Sequence, residues 1–207
     1  MLPTTIPIFP LPNVVLFPNV FLPLHIFEPR YRAMLADALA GDRIIGMTLL
    51  MPGYEADYQG RPRVYPVGCA GVITHSEQLP DGRSNVVLRG IEKFRILDED
   101  TSQEYRLARI EALSETATAS EKQLLKQRRH RLEALLVAAI ERGGSDPRFP
   151  SAIPDEDLVN ALSQYLGLDP VERQALLERD GILARCDGLI ELLEMKTYSP
   201  GGPKSVH

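Results

Sequence analysis

The sequence predicts an α+β protein: a small, closed or nearly closed β-barrel with one interrupting helix, followed by a bundle of α-helices. Three observations carry this reading. Residues 6 to 31 (IPIFPLPNVVLFPNVFLPLHIFEPRY) are apolar but broken by Pro7, Pro10, Pro12, Pro18, Pro23 and Pro29. Proline fixes φ, removes a backbone donor and biases its predecessor to extended geometry, so this run is a series of short strands and turns and not one helix or a membrane span. Residues 64–74, 85–97 and 105–113 are rich in β-branched and aromatic residues and in part alternate apolar with polar, as half-buried strands do. Near residue 119 the periodicity turns helical.

Taken in order, the opening run is expected to bury Val14, Val15, Leu16, Phe21, Leu22, Leu24 and Ile26. Glu28 to Leu39 then reads as the interrupting helix, with Pro29 at its first position, Tyr31, Met34, Leu35, Ala38 and Leu39 at helical spacing, and Gly41 as its stop. Asp81-Gly82 supplies a tight hairpin turn, and Gly90 interrupts its strand as a bulge or bend would. In the third strand segment Tyr105, Leu107 and Ala108 are expected to face inward, with Arg106 and Arg109 outward. Many short strands of this kind point to a barrel occupying residues 1–118.

The small, polar stretch 114–120 (SETATAS) reads as a hinge. The helical part, 119–196, opens with Glu121 to Arg142, whose stripe is Leu124, Leu125, Leu132, Leu135, Leu136, Ala139 and Ile140, ended by Gly143-Gly144. A second helix spans about 155 to 166, burying Leu158, Val159, Leu162, Tyr165 and Leu166. Asp169-Pro170-Val171-Glu172 is a capping sequence for a third, in which Glu172 reaches back to the free amides. A fourth, about 181 to 195, sets Ile182, Cys186, Leu189, Ile190 and Leu193 on one face, and 197–207 (TYSPGGPKSVH) is expected to be a disordered tail.

Composition narrows the function classes. A chain of 207 residues buries roughly 70% of the surface its unfolded form exposes, so its core needs neither disulfides nor metal. Cys69 and Cys186 lie far apart without metal-ligand spacing, which suits a reducing compartment. No basic segment precedes the first apolar run and no small-residue cleavage motif follows it, so the expected location is cytoplasmic, with no membrane partner. A formal net charge of −5 argues against broad binding to nucleic acid phosphates.

The segment Pro23 to Tyr31, PLHIFEPRY, resembles the opening of the amino-terminal domain of Lon proteases, and the resemblance continues through nearly the whole chain. Gly68, the turn Asp81-Gly82-Arg83, and Val86 to Gly90 leading to Lys93-Phe94-Arg95 stand where that family has a glycine before a strand, an acidic-Gly-Arg turn and a strand ending in glycine before a basic-aromatic-basic segment. ERQALLERDGILARCDGLIELL at 172–193 is similar to the family's final helical run. The resemblance implies a barrel of the pseudouridine-synthase-and-archaeosine-transglycosylase (PUA) type followed by a helical bundle. It also implies a role in recognising polypeptide. His25, Glu28, Arg30, Tyr31, Arg32, Asp81, Gly82, Arg83 and Gly90 are the motif positions expected to matter structurally.

The sequence contains no GxxxxGK[ST] phosphate loop and no G-x-S-x-G elbow, so ATP hydrolysis and Lon-type proteolysis are not expected of this chain. His25 and Glu28 at i, i+3 have metal-ligand spacing, but no second such pair supplies the remaining ligands, so no metal and no cofactor is expected. Thr74-His75-Ser76 sets hydroxyls beside an imidazole, yet neighbours in a strand point apart. The basic run KQRRHR at 126–131 shares its helix with Glu121, Glu133 and Glu141 and no aromatic cluster accompanies it, which favours a solvated helix face. An RNA-binding protein of the wider PUA-like superfamily is the alternative that this run keeps open.

The polar, tyrosine-bearing segment at 54–65 suits a loop that contacts peptide. The function that the resemblance and the missing catalytic motifs imply is a non-enzymatic polypeptide-binding module. Phe17, Phe21, Phe27, Tyr54 and Tyr58 are its candidate contact residues, with Arg30 and Arg32 positioning the entry strand. Its expected partners are unfolded or exposed polypeptide segments, together with another protein of the proteolysis machinery.

Overall fold

Strand pairing defines the architecture of the computed structural model, which describes residues 2–58, 60–141 and 153–198. The elements are β1 (Thr5–Leu11), β2 (Phe21–Ile26), α1 (Pro29–Ala40), β3 (Ile44–Leu49), a 3₁₀ turn (Tyr54–Asp57), β4 (Val67–Gln78), β5 (Ser84–Asp100), β6 (Arg106–Leu113), α2 (Ala119–Glu141), α3 (Asp155–Tyr165), α4 (Pro170–Glu178) and α5 (Gly181–Tyr198). One mixed sheet runs β2-β5-β4-β3-β1-β6, and β6 also pairs with the far half of β5. The pairing β1–β3 is parallel and the others are antiparallel. The fold is α+β.

Contacts divide the chain into two units: Met1–Ser114 with Asn160–Glu178, and Glu115–Val159 with Arg179–His207. This is not a single cut at 118/119. The reason is visible in the first unit, where the Tyr165 hydroxyl donates to the Phe21 carbonyl at 2.7 Å and the Gln174 amide donates to the Val67 carbonyl at 2.9 Å. The end of α3 and all of α4 are thereby tied to strands.

The core of the first unit gathers Ile6, Ile8, Ala70, Phe94, Ala108 and Ile110 from four strands. Room for the Phe94 ring comes from Gly46 and Gly68, where an added Cβ would fall 2.8 and 2.6 Å from its Cζ. The helix α1 starts with Pro29 and buries Tyr31, Met34, Leu35 and Ala38, while Gly41 caps its end through bonds to Asp37 and Ala38. Between β4 and β5 the turn closes at Gly82, whose φ of 82° only glycine adopts without strain. Beside Gly90 the β4–β5 register slips and leaves Ile91 without a partner in that ladder.

Several expectations about exposure are corrected. Phe21 is 51% exposed; it opens the edge strand β2, which among the described residues has one ladder, with β5. Phe17 is fully buried. Around β6, Tyr105 and Ala108 are buried and Arg109 is exposed as expected, but Arg106 is buried and Leu107 only half-buried. The buried Arg106 is accommodated because it donates to the Pro62 carbonyl at 2.6 Å and pairs with Glu99 at 3.3 Å.

In the second unit α2 and α5 pack together. Arg128 pairs with Asp187 at 2.6 Å and Arg131 with Glu194 at 2.6 Å, and Arg129 bonds Glu133 and Asp155, each at 2.8 Å. The three arginines of the 126–131 run are thus engaged by carboxylates. Leu125, Leu132 and Leu136 are buried while Leu124 is 43% exposed. Thr118 caps α2, its hydroxyl and amide both donating to Glu121. At α4 the amide of Asp169 donates to Glu172 at 2.8 Å, the reach-back expected of that capping sequence. Tyr165, expected to be buried, is 66% exposed. The expectations for Gly143-Gly144, for the side chains of Ala139 and Ile140, and for a disordered tail beyond Tyr198 lie outside the described residues. No helix of the described residues is long and apolar enough to cross a membrane.

Candidate functional site

Two adjoining clefts open in the first unit, where β2 ends and α1 begins. The first, about 260 Å³, is walled by Phe9, Leu11, Leu24, Ile26, Phe27 and Tyr31, with His25, Glu28 and Tyr58 at its edge. The second, about 270 Å³, is lined by Arg30, Arg61 and Arg106 together with Tyr31, Tyr58, Glu104 and Tyr105. Tyr31 and Tyr58 belong to both walls.

The local sequence explains the placement. The chain leaves β2 at Ile26, and Pro29 starts α1 at once, so Phe27 and Glu28 occupy a corner where neither ladder nor helix covers them. Phe27 is 58% exposed and its ring stacks on His25 at 6.2 Å. Glu28 is the hub: it accepts from Arg30 Nε at 3.1 Å and from the Tyr58 hydroxyl at 3.4 Å. The Arg30 guanidinium lies 4.7 Å from the Tyr31 ring centre and 5.9 Å from that of Tyr58, within cation–π range. Phe9 packs on Tyr31 at 4.3 Å and Tyr54 meets Tyr58 edge-on at 6.2 Å.

Burial pushes the Tyr31 phenol up to about 12, against the lowering effect of Arg30. The Tyr58 phenol is also raised, first by burial and then by the Glu28 charge. Both rings are therefore neutral, amphipathic walls at ordinary pH. No pair here has the geometry of a nucleophile and its base. The Thr74 hydroxyl donates to the Val87 carbonyl at 3.0 Å. His25 and Glu28 turn to different partners, since the imidazole bonds Asn85 at 2.9 Å.

The candidates from the sequence separate accordingly. Phe27 and Tyr58 line the apolar cleft, and Tyr54 supports Tyr58 from outside it. Phe21 begins the strand that Phe27 follows, roughly 20 Å away at strand rise. Phe17 has no surface to present. Arg30 stands in the site, whereas the Arg32 guanidinium lies over Gly82 at the hairpin tip. Asp81 and Arg83 pair with each other at that tip. Arg61 and Arg106 escaped the sequence reading. Only the β6 alternation of Arg106 with Ala108 and Ile110 could have revealed one of them.

A polypeptide adding to the sheet would meet β2, but that edge is blunted. Pro23 has no amide to offer, and the Phe21 carbonyl is taken by Tyr165. That edge is thus closed to strand addition at two positions, whereas the two clefts stand open.

Comparison with known proteins identifies the family. Residues 5–195 match the family model of the ATP-dependent protease La (LON) substrate-binding domain. Among curated relatives, the Lon protease of Flavobacterium johnsoniae is 30% identical over 193 residues, covering 89% of this chain and 23% of that protein. Lon protease 2 of Myxococcus xanthus is 27% identical, covering 94% and 24%. The chain spans about a quarter of the length of these relatives. Two solved structures share the fold. One is the N-terminal domain of a Mycobacterium avium complex Lon protease (TM-score 0.65, 18% identity, 92% of this chain and 98% of that one). The other is a Lon N-terminal domain protein from Xanthomonas campestris (TM-score 0.60, 22% identity, 95% and 99%). With nearly its full length matched, the chain belongs to the Lon substrate-binding domain family.

Proposed function

We propose that this chain is a non-enzymatic module that binds unfolded or exposed polypeptide segments, seating an apolar side chain in the cleft walled by Phe27, Leu24 and Tyr58. The observation that carries the reading is an aromatic residue left 58% exposed at the mouth of an apolar cleft, in a chain of this family. A large exposed apolar group costs solvation free energy unless a partner covers it, and a cleft with a few polar groups at its rim is where ligands bind. Its partners would include another protein of the proteolysis machinery, and its place of action would be the cytoplasm. The ion pairs that engage Arg128, Arg129 and Arg131 lend no support to an RNA-binding role. The finer architecture we infer is a PUA-type barrel within residues 1–118, supported by pairings that return from β6 to β5, and a helical bundle built on α2 and α5.

The test is binding of a fluorescently labelled, permanently unfolded protein to the wild type and to Phe27→Asp. Loss of an aromatic anchor at an interface costs about 1–2 kcal/mol or more, so affinity should fall about tenfold. Unchanged affinity would refute this placement of the site.

A further inference from the structure

We propose that the arginine-lined cleft receives the free C-terminal carboxylate of a bound polypeptide whose last, apolar side chain occupies the adjoining cleft; this rests on the polypeptide-binding reading. Three arginines, Arg30, Arg61 and Arg106, line one cavity, and among the described residues that line it the one carboxylate is the exposed Glu104. Arg30 is matched by Glu28 and Arg106 by Glu99. Arg61 forms no ion pair among the described residues, yet it is held in place, donating to the carbonyls of Asp100 at 3.3 Å and Gln103 at 2.9 Å. It is a positioned cation that feels the Asp100 carboxylate through space without closing an ion pair with it. The three charges sense one another: burial pushes the Arg106 guanidinium down from its ordinary value, and Arg61 and Arg30 act in the same direction against Glu99. The Tyr31 hydroxyl makes no hydrogen bond among the described residues and offers a further donor.

The spacing selects the kind of carboxylate. The Arg30 guanidinium rests against Tyr31 and Tyr58, the two rings shared by both clefts, so the anion and the apolar group must lie side by side. In an extended chain the side chains of neighbouring residues point to opposite faces. An acidic residue next to the apolar anchor would therefore aim away from the arginines. A C-terminal residue carries its side chain and its carboxylate on one Cα and fills both clefts at once. Guanidinium forks match carboxylate geometry, and such charge-assisted bonds are roughly twice as strong as neutral ones.

The experiment titrates the full chain against one fluorescein-labelled peptide ending in Phe, prepared as the free acid, as the C-terminal amide, and as a free acid extended by two glycines. The free acid should bind about tenfold more tightly than either other form. Arg61→Gln, at an exposed side chain, should shrink that gap to about twofold, and Arg61→Lys should keep part of it. If all three peptides bind the wild type equally, or if Arg61→Gln leaves the gap intact, the carboxylate site is overturned while polypeptide binding stands. If neither these peptides nor an unfolded protein bind, the polypeptide-binding reading falls and this inference falls with it.

Discussion

Replacing Gly90 with alanine is expected to destabilise the first unit by about 2–4 kcal/mol, as follows from the packing of β5 against the segment before β2. An added Cβ would sit 2.0 Å from the Phe17 carbonyl oxygen, 2.8 Å from its carbon and 3.3 Å from Leu16 Cγ. Carbon and oxygen tolerate approach to roughly 3.3 Å, so the segment must retreat by more than about 1 Å. The same residue holds that segment by two backbone bonds, Asn19 N–H to the Gly90 carbonyl and Gly90 N–H to the Val20 carbonyl, each 2.9 Å. Each bond lost costs about 0.5–1.5 kcal/mol. Pulling the fully buried Leu16 and Phe17 out of register adds about 1–3 kcal/mol, and the smaller entropy of the unfolded alanine chain returns about 0.4–1 kcal/mol. Denaturant unfolding measures the difference, with Gly167→Ala as the control because a Cβ there meets nothing within 4 Å. A Gly90→Ala protein within about 0.5 kcal/mol of the wild type, the range of ordinary surface changes, would refute the argument.

In the second unit Arg185 is fully buried and donates to both oxygens of Glu115, at 2.7 and 2.9 Å. Glu115→Ala is expected to cost about 2–3 kcal/mol, the low end for a broken buried pair because the carboxylate keeps some solvent contact; equal unfolding midpoints would sink that expectation. Alkaline pH should weaken the fold through its tyrosines. Tyr31 and Tyr105 are both raised to about 12, chiefly by burial and in Tyr105 also by its bond to Asp37. Between pH 10 and 12 the unfolded chain loses these protons before the folded one does, so their contribution is complete below pH 10 and declines up to about pH 12. Tyr105→Phe should flatten part of the decline, and a slope identical to that of the wild type would contradict the assignment.

Local signals carried much of the fold into the sequence. Pro29 and Gly41 bound α1, Asp81-Gly82 marked the hairpin, Gly90 announced the register slip, and Asp169 with Glu172 formed its cap, because each is fixed by the backbone chemistry of a few neighbours. Long-range pairing was not legible. Gly41-Asp42 and Pro52-Gly53 bracket β3, but no local signal announces its parallel pairing with β1, which joins Ile8 to Gly46 across a helix. The burial of Arg106 on β6 was not legible because an arginine in an alternating strand is normally solvated, and it takes the Pro62 carbonyl and Glu99, brought together by the fold, to make its burial tolerable. The site was half visible for the same reason. Phe27 and Tyr58 could be suspected as exposed aromatics in irregular segments, whereas Phe17 and Phe21 are exchanged in role by the fold, and Arg61 joins Arg30 only through tertiary structure.

Cross-linking from defined positions tests the central claim most directly. A photoreactive phenylalanine is placed at position 27, and in a second protein at position 97, where Leu97 is 48% exposed but outside either cleft. Irradiation with an unfolded polypeptide should yield adducts from position 27 and few from position 97. Equal yields from both, or adducts from position 97 alone, would contradict the assignment of the cleft beside Phe27 as the polypeptide-binding site.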